Sequence, residues 1–508
     1  MVRQTPLGNE LWNRLPWKKF QKNLFRLQRR IFKAVRDGDM AKVKNLQKLI
    51  LKSTSAKLLA IRQITQLNKG KKTAGIDGVK SLNFLQRFQV LFQLIDVRKW
   101  EPQELLRIPI RKKNGKARIL SVPTIIDRIW QCLIKFALEP AHEATFHANS
   151  YGFRTGRSAH DAQKMVFLRL SSKAKGIDKR VIELDIKKCF DRISHKSIMT
   201  QLIAPSGIKQ GIFRSLKAGV FSEFPEQGCP QGGVISPLLA NIALNGIEDI
   251  HTSIRYADDL VLFLKEKDDA EEILQKVKNF LAERGMEISV EKTKITPATT
   301  GFDFLGWHFK VQKNGKFRSI PSEENFKAFQ KKVKEIINNS NYGTEVKAQK
   351  LAPIVRGFRN YHKFCKMEGS RFSLWFLQKR AETIFRKQKS IDINKSKELV
   401  NKAFPAVPYS ENKFANVKQD KSPYDGDIVY WAKRNSKLYD GKTATLLGEK
   451  KQNHTCAACG MKFLPGENVH LHHKDGNHNN WKNANLEVIH QSCHQYIHMG
   501  KGLRTKDI

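Results

Sequence analysis

Arg255-Tyr256-Ala257-Asp258-Asp259, followed by Leu260-Val261-Leu262-Phe263-Leu264 and preceded by Ser253-Ile254, decides the fold of this chain. Apolar, strand-forming residues on both sides of a two-carboxylate turn predict a β-hairpin with adjacent aspartates at its tip. An isolated pair of aspartates reads as an ordinary turn. A third carboxylate changes the balance: Val181-Ile182-Glu183-Leu184-Asp185-Ile186 is an apolar strand ending in Asp185. Three acids at strand ends suit a nucleotidyl-transfer site, where two Mg²⁺ ions about 3.5–4 Å apart need hard oxygen ligands.

Bulk composition agrees. Lys and Arg total 92 against 48 Asp and Glu, a net charge of +44, which predicts extended contact with a polyanion. With 508 residues and 40% apolar content the chain can bury several cores, and its length suggests roughly three to four domains. That argues against a small ribosomal-type protein. No segment approaches the ~18–20 apolar residues of a membrane span, and Met1-Val2-Arg3-Gln4-Thr5-Pro6 lacks a signal-peptide core. Cys132, Cys189, Cys229 and Cys365 are scattered while three cysteines cluster near the end, the pattern of a reducing compartment with one metal site.

From Trp12 to about Asn68 the chain is basic with helical spacing: Phe20, Leu24, Leu27 and Ile31 form one stripe, and Leu46 to Leu67 repeats it. Arg111-Lys112-Lys113-Asn114-Gly115-Lys116-Ala117-Arg118 is a basic hairpin with Asn-Gly as its turn, which makes Lys112 and Arg118 candidates to grip a triphosphate. Phe190, five residues past Asp185, is a candidate to reject a 2′-hydroxyl sterically. Pro230-Gln231-Gly232 offers Gln231 to nucleotide or template, and Lys292 follows near the same site. A helix is expected over Asp268–Arg284, closed by Gly285. Beyond Phe326 the spacing is helical, with Pro353 expected near the start of a second stripe (Ile354, Phe358, Tyr361, Cys365). Residues 387 to 450 are polar and Lys-rich, which predicts a loosely folded connector.

The ordered series of basic hairpin, Ser150-Tyr151-Gly152-Phe153-Arg154, Asp185, Pro-Gln-Gly, Tyr-Ala-Asp-Asp, Lys-Thr and Phe304-Leu305-Gly306 resembles reverse transcriptases of the group II intron-encoded class. The resemblance implies right-hand-like polymerase fingers and palm over 75–310, after an N-terminal basic helical extension at 1–74. It makes Asp185, Asp258 and Asp259 the Mg²⁺ ligands, gives Lys112 and Arg118 the triphosphate, and makes Phe190 the sugar gate. Arg356-Gly357-Phe358-Arg359-Asn360-Tyr361-His362-Lys363-Phe364 is similar to the signature of the family's α-helical thumb, the maturase domain X, here 311–390. Arg356, Arg359 and Lys363 are its candidate RNA contacts, while Phe358 and Tyr361 read equally well as packed core.

From Cys456 the composition turns to Cys, His and Asn. Cys456-x2-Cys459 and His490-x2-Cys493 have tetrahedral zinc spacing. Leu471-His472-His473-Lys474, Asn485 and His494-x3-His498 complete a resemblance to HNH endonucleases, a small ββα-metal fold over 451–508. It implies His473 as general base, His472, His494 and His498 as ligands of a catalytic divalent ion, and Asn485 as a brace. The family usually has cysteine where His490 stands. A DNA-binding connector at 391–450 is implied, and the nuclease beyond it is expected to be removable without harm to the rest.

The whole reads as a multidomain α+β partner of a group II intron RNA. It would assist splicing, nick target DNA and extend the cut end with dNTPs, using Mg²⁺ and Zn²⁺, in bacterial cytoplasm or an organelle, with no membrane. The alternatives are a splicing-only maturase and a reverse transcriptase of another retroelement class. The intact Asp185, Asp258, Asp259 and His473 oppose the first; domain X and the Cys/His module oppose the second.

Overall fold

The computed structural model describes residues 11–111, 117–219, 225–369, 372–387, 391–418, 421–437, 439, 441–478 and 480–499. Among the described residues no helix is long and apolar enough to cross a membrane.

Three helices, α1 (Trp17–Arg36), α2 (Met40–Lys52) and α3 (Thr54–Arg62), open the chain. The expected second stripe is split at Ser53, which leaves the helical region and caps α3 through its hydroxyl. After α4 (Phe84–Gln93), strands β1 (Leu106–Arg111) and β2 (Ala117–Val122) form the basic hairpin. Helix α5 (Ile125–Glu143) is buried along most of its length, and α1, α2 and α3 pack on it. Side chains as well as apolar contact fix that packing: Gln28 and Gln47 donate to the carbonyls of Phe136 and Ala137 at 3.0 and 3.3 Å.

The palm follows: α6 (Ala159–Leu170), β3 (Arg180–Asp185), α7 (Cys189–Arg192), α8 (His195–Gln201), α9 (Ser206–Lys217), α10 (Ser236–Leu244), β4 (Ser253–Tyr256), β5 (Asp259–Leu264), α11 (Ala270–Ala282) and β6 (Lys294–Pro297). Its antiparallel sheet runs β4-β5-β3-β6. Strand alternation sends Ile182, Leu184, Leu260, Leu262 and Leu264 into a core shared with the N-terminal helices. Val181, Val261 and Phe263 go into a second core on the other face. A sheet covered on both faces reads as a continuous apolar run, which is why Leu260 to Leu264 shows no polar alternation.

The second core continues into β7 (Phe302–Phe304), β8 (Trp307–Val311) and β9 (Phe317–Pro321), a separate three-stranded sheet. The helices α12 (Glu323–Asn338), α13 (Thr344–Tyr361), α14 (Trp375–Arg386) and α15 (Ile393–Ala403) then form the thumb. These helices pack together through α15. Pro353 lies well inside α13, not near its start, on the exposed side.

The largest correction concerns the loose connector expected over 387–450: the described residues around Val417, Trp431 and Arg434 are folded onto the palm. Buried Asp161 on α6 receives both Nη2 contacts of Arg434 (2.7 and 2.9 Å) and the amide of Val417 (2.6 Å). Trp431, in α16 (Ile428–Lys437), is 1% exposed and belongs to the second core. Polar composition misled because here the polar groups pair with each other and with the palm.

The described residues end in α17 (Gly441–Leu447), the hairpin β10 (Val469–His473) and β11 (Leu486–His490), and α18 (Gln491–Met499), over a small core of their own. This module is not a free appendage. Lys18 of α1 pairs with Glu467 at 2.7 Å, and Arg62 of α3 donates to Gln495 at 2.7 Å. Removing residues from 451 onward, expected to leave the rest unharmed, would break both contacts.

Candidate functional site

Asp185 closes β3 and stands directly opposite Asp259, the first residue of β5. Side chains so placed have Cβ atoms roughly 4.5–5.5 Å apart, and like charges there repel. Asp258 sits in the two-residue turn before Asp259, after Ala257 in the left-handed region (φ +60°). Two-residue hairpin turns take positive φ at the first central residue because it matches the strand twist, at a cost of roughly 1–2 kcal/mol when that residue is not glycine.

Surrounding groups hold the turn in place. Arg255 is fully buried, ion-paired with Glu248, and donates Nη1 to Asn241 Oδ1 (2.9 Å) and to the Ala257 carbonyl (3.1 Å). Asn241 in turn donates to the Gly152 carbonyl at 2.9 Å. A Cβ on Gly152 would collide with the Ala257 backbone, so glycine there lets the two loops touch. Sequence reasoning quoted Arg255 and Gly152 without giving them work, and missed Asn241 and Glu248. The available signal was a charged residue inside an otherwise apolar strand.

Lys292 reaches the acids because the segment after Gly285 runs beside Asp185. Ile288 bridges Ile186, the Ser289 amide donates to the Asp185 carbonyl (2.7 Å), and Lys292 Nζ lies 2.9 Å from Asp185 Oδ2. The protein packed around Asp259, then Asp258 and Asp185, push its carboxyl up to about 6, with Lys292 pulling the other way. Its side chain remains open to solvent, so the two neighbouring carboxylates contribute more to that rise than burial does. A cluster with this excess of negative charge suits divalent cations. The acids' oxygens are not drawn together as tightly as the Cys/His ligands below, since one oxygen of Asp185 is turned to Lys292.

Phe190 is buried on α7, and its carbonyl accepts the Cys229 amide at 2.6 Å, which pins the Pro230-Gln231-Gly232 loop beside it. The half-exposed ring of Phe153 meets Phe190 edge-on at 6.3 Å, an aromatic neighbour the sequence did not single out. Gln231 donates to Asp191 Oδ1 at 3.2 Å, and its carbonyl accepts the Ser121 amide at 2.7 Å, joining this loop to β2. Lys112 lies outside the described residues; Arg118 pairs with Ile110 in the hairpin, and its side chain is likewise outside the description.

In the thumb, Arg356 is exposed and Lys363 half-exposed. Arg359 is a correction: it is 8% exposed and donates to the carbonyls of Phe404 and Pro405 (3.2 and 2.8 Å), so it ties α13 to the chain after α15 and does not face RNA. Phe358 stacks on Phe329 at 4.0 Å and Tyr361 on Trp307 at 4.5 Å, the packed-core alternative.

In the C-terminal module, ligand atoms of Cys456, Cys459, His490 and Cys493 all lie within 4.8 Å of one another, the one such group among the described residues. Three sulfurs and an imidazole at that spacing fit tetrahedral Zn²⁺. On β10, His472 Nδ1 meets Glu487 Oε1 at 3.0 Å, which leaves its buried Nε2 without a hydrogen bond among the described residues. The His472 ring lies 5.2 and 5.6 Å from those of His498 and His494, themselves 4.4 Å apart. Burial, then His498, His470, His472 and His478, hold His494 down at about 4, so it is a neutral donor at pH 7. His473 is buried against His478 and Trp481, also with an unengaged Nε2. Asn485 braces the loop between the strands, exchanging bonds with Asp475 (2.9 and 3.1 Å) and donating to the Asn480 carbonyl (2.9 Å).

An antiparallel sheet presenting three acids from adjacent strand ends is the arrangement of a template-directed polymerase palm. Residues 110–309 match the family described as reverse transcriptase (RNA-dependent DNA polymerase), 12–94 its N-terminal domain, and 326–392 the group II intron maturase-specific domain. Maturase-like protein 1 of Euglena gracilis is 40% identical over 392 residues, covering 76% of this chain and 85% of that protein. Protein YkfC of Escherichia coli is 31% identical over 337 residues (55% and 88%). Group II intron-encoded protein LtrA of Lactococcus lactis is 28% identical over 327 (49% and 54%). The chain belongs to the group II intron-encoded reverse transcriptase/maturase family. It carries an RNA-directed DNA polymerase domain, of a kind that uses Mg²⁺, and a splicing-maturase domain.

Proposed function

We propose that the chain works with its intron RNA as a mobility particle: it supports splicing, nicks target DNA with the C-terminal module, and extends the cut end by copying the RNA. In this reading Asp185, Asp258 and Asp259 hold Mg²⁺, whose chemistry when bound is to neutralise the triphosphate and ease deprotonation of the 3′-hydroxyl. Lys292 holds Asp185 in position until the nucleotide arrives, Lys112 and Arg118 grip the triphosphate, Phe190 excludes a 2′-hydroxyl, and Gln231 steadies the template side. Arg356 and Lys363 contact the RNA. In the module, Cys456, Cys459, His490 and Cys493 hold Zn²⁺ as a structural element. His473 Nε2 would take the proton of the attacking water, His472, His494 and His498 would hold a divalent ion, and Asn485 would fix the loop. The particle would act in bacterial cytoplasm or an organelle.

The nuclease reading is carried by one observation: a ββα unit sets His472 within 5.2 and 5.6 Å of His498 and His494, which lie one helical turn apart, with His473 its neighbour on the same strand. The test is to measure nicking and zinc content on two purified variants. His473→Ala should lose about 10²–10⁴ in nicking rate with zinc and thermal unfolding retained, and Cys456→Ala should lose both zinc and nicking. A His473→Ala protein that nicks normally sinks the assignment.

A further inference from the structure

The Cys/His cluster is flanked by charges from the other end of the chain. Glu467 Oε2 lies 3.2 Å from His490 Nε2 and accepts the Leu464 amide at 2.8 Å, while Oε1 takes Lys18 Nζ from α1 at 2.7 Å. The Lys18 and Glu467 side chains are only 15% and 12% exposed, so this pair is shielded as surface pairs are not. His490 turns its other nitrogen, Nδ1, toward Cys459 Sγ (3.4 Å) and Cys493 Sγ (3.9 Å). From α3, buried Arg62 packs 4.5 Å over the Trp17 ring and donates to Gln495, two residues past Cys493.

We propose that metal loading of the Cys/His cluster docks the C-terminal module onto α1 and α3, with Lys18 and Arg62 acting as an outer shell of the metal site. The inference rests on the zinc reading above. Three thiolates and a neutral imidazole around Zn²⁺ leave one net negative charge. Glu467 adds a second, and Lys18 and Arg62 supply two positive charges against it. A ligating histidine is oriented by a carboxylate on its far nitrogen, and Glu467 occupies that place for His490, itself fixed by Lys18. Without the metal nothing fixes His490 among the other three ligands, and the line from His490 through Glu467 to Lys18 loses its anchor. By linkage, whatever docking adds to metal affinity, metal adds to docking. The N-terminal helices of the polymerase and the distal module would then order together.

The experiment uses the full chain: wild type, Glu467→Gln, Lys18→Met, and Lys22→Met as an exposed-lysine control on the same helix. Zinc affinity is read by competition with a chromophoric chelator, and hydrogen exchange over Trp17–Arg36 is followed with and without zinc. Glu467→Gln should weaken zinc about 10–100-fold, Lys18→Met less, and Lys22→Met not at all. In the wild type, stripping zinc should speed exchange in α1. Exchange in α1 that ignores stripping, or zinc held equally by Glu467→Gln and Lys18→Met, overturns the inference alone. A wild-type chain that binds no zinc overturns the zinc reading and this inference with it.

Discussion

The palm acids and the Cys/His cluster handle crowded ligands in opposite ways. In the palm, Asp185 and Asp259 oppose each other across a sheet buried on both faces, stay open to one side, and leave Asp259 raised to about 6. In the module, four donors converge within 4.8 Å and are backed by Glu467 and Lys18. An open site keeps unbalanced charge because substrate and metal must enter and leave; a closed site completes its own coordination and adds to folding energy. Chemistry is expected where charge is left unbalanced, and architecture where it is satisfied.

The largest effect should come from the palm. Asp258→Ala removes a carboxylate from an accessible turn, so primer extension on an RNA template should fall at least about 10³-fold while zinc content and unfolding temperature hold. Near-normal extension would break the contrast. Conversely, Cys456→Ser should abolish zinc binding and unfold the module, leaving extension by the palm within a few-fold of wild type; its collapse would mean the module supports the polymerase fold.

Acid should destabilise the main body through two histidines. Burial holds His142, in the first core, and His362, in the second, at about 3. Their folded pKa lies below the unfolded value of about 6.5, so between about pH 6.5 and 3 the unfolded chain binds more protons and stability falls as pH drops. Each histidine should cost about 2 kcal/mol at pH 5. His362, ringed by Trp307, Phe358 and Tyr361 with neither nitrogen bonded among the described residues, is the one to replace. His362→Phe should flatten the acid side of a melting-temperature profile, and an unchanged profile would show that His362 does not contribute.

The smallest effects separate two arginines in one motif. Arg356→Ala should lower RNA affinity and reduce the salt slope by about 0.7–0.9, with unfolding unchanged. Arg359→Ala, which orphans the Phe404 and Pro405 carbonyls, should cost about 1–3 kcal/mol of stability instead. If both act only on RNA, the structural role given to Arg359 is wrong.

Much of this was legible in the chain because strand periodicity and ligand spacing are local. The Leu260–Leu264 run, Asp185 at a strand end, and the pairs Cys456/Cys459 and His490/Cys493 are each read within a few residues. The connector was misread because its polar residues resemble solvated ones until Asp161 and Trp431 are seen to be buried. Arg359 was misread because helical spacing fixes its neighbours on α13 but not what approaches from Phe404. The sequence by itself determined the strand that ends in the paired aspartates and the spacing that brings Cys456, Cys459, His490 and Cys493 together, since both depend on residue type and short spacing. Only the tertiary structure decided that Arg255, Asn241 and Gly152 hold the aspartate turn, and that Lys18 and Arg62 stand behind the Cys/His cluster. Those pairings join residues tens to hundreds of positions apart, and chain closure at that distance is set by how the cores pack, not by any local pattern.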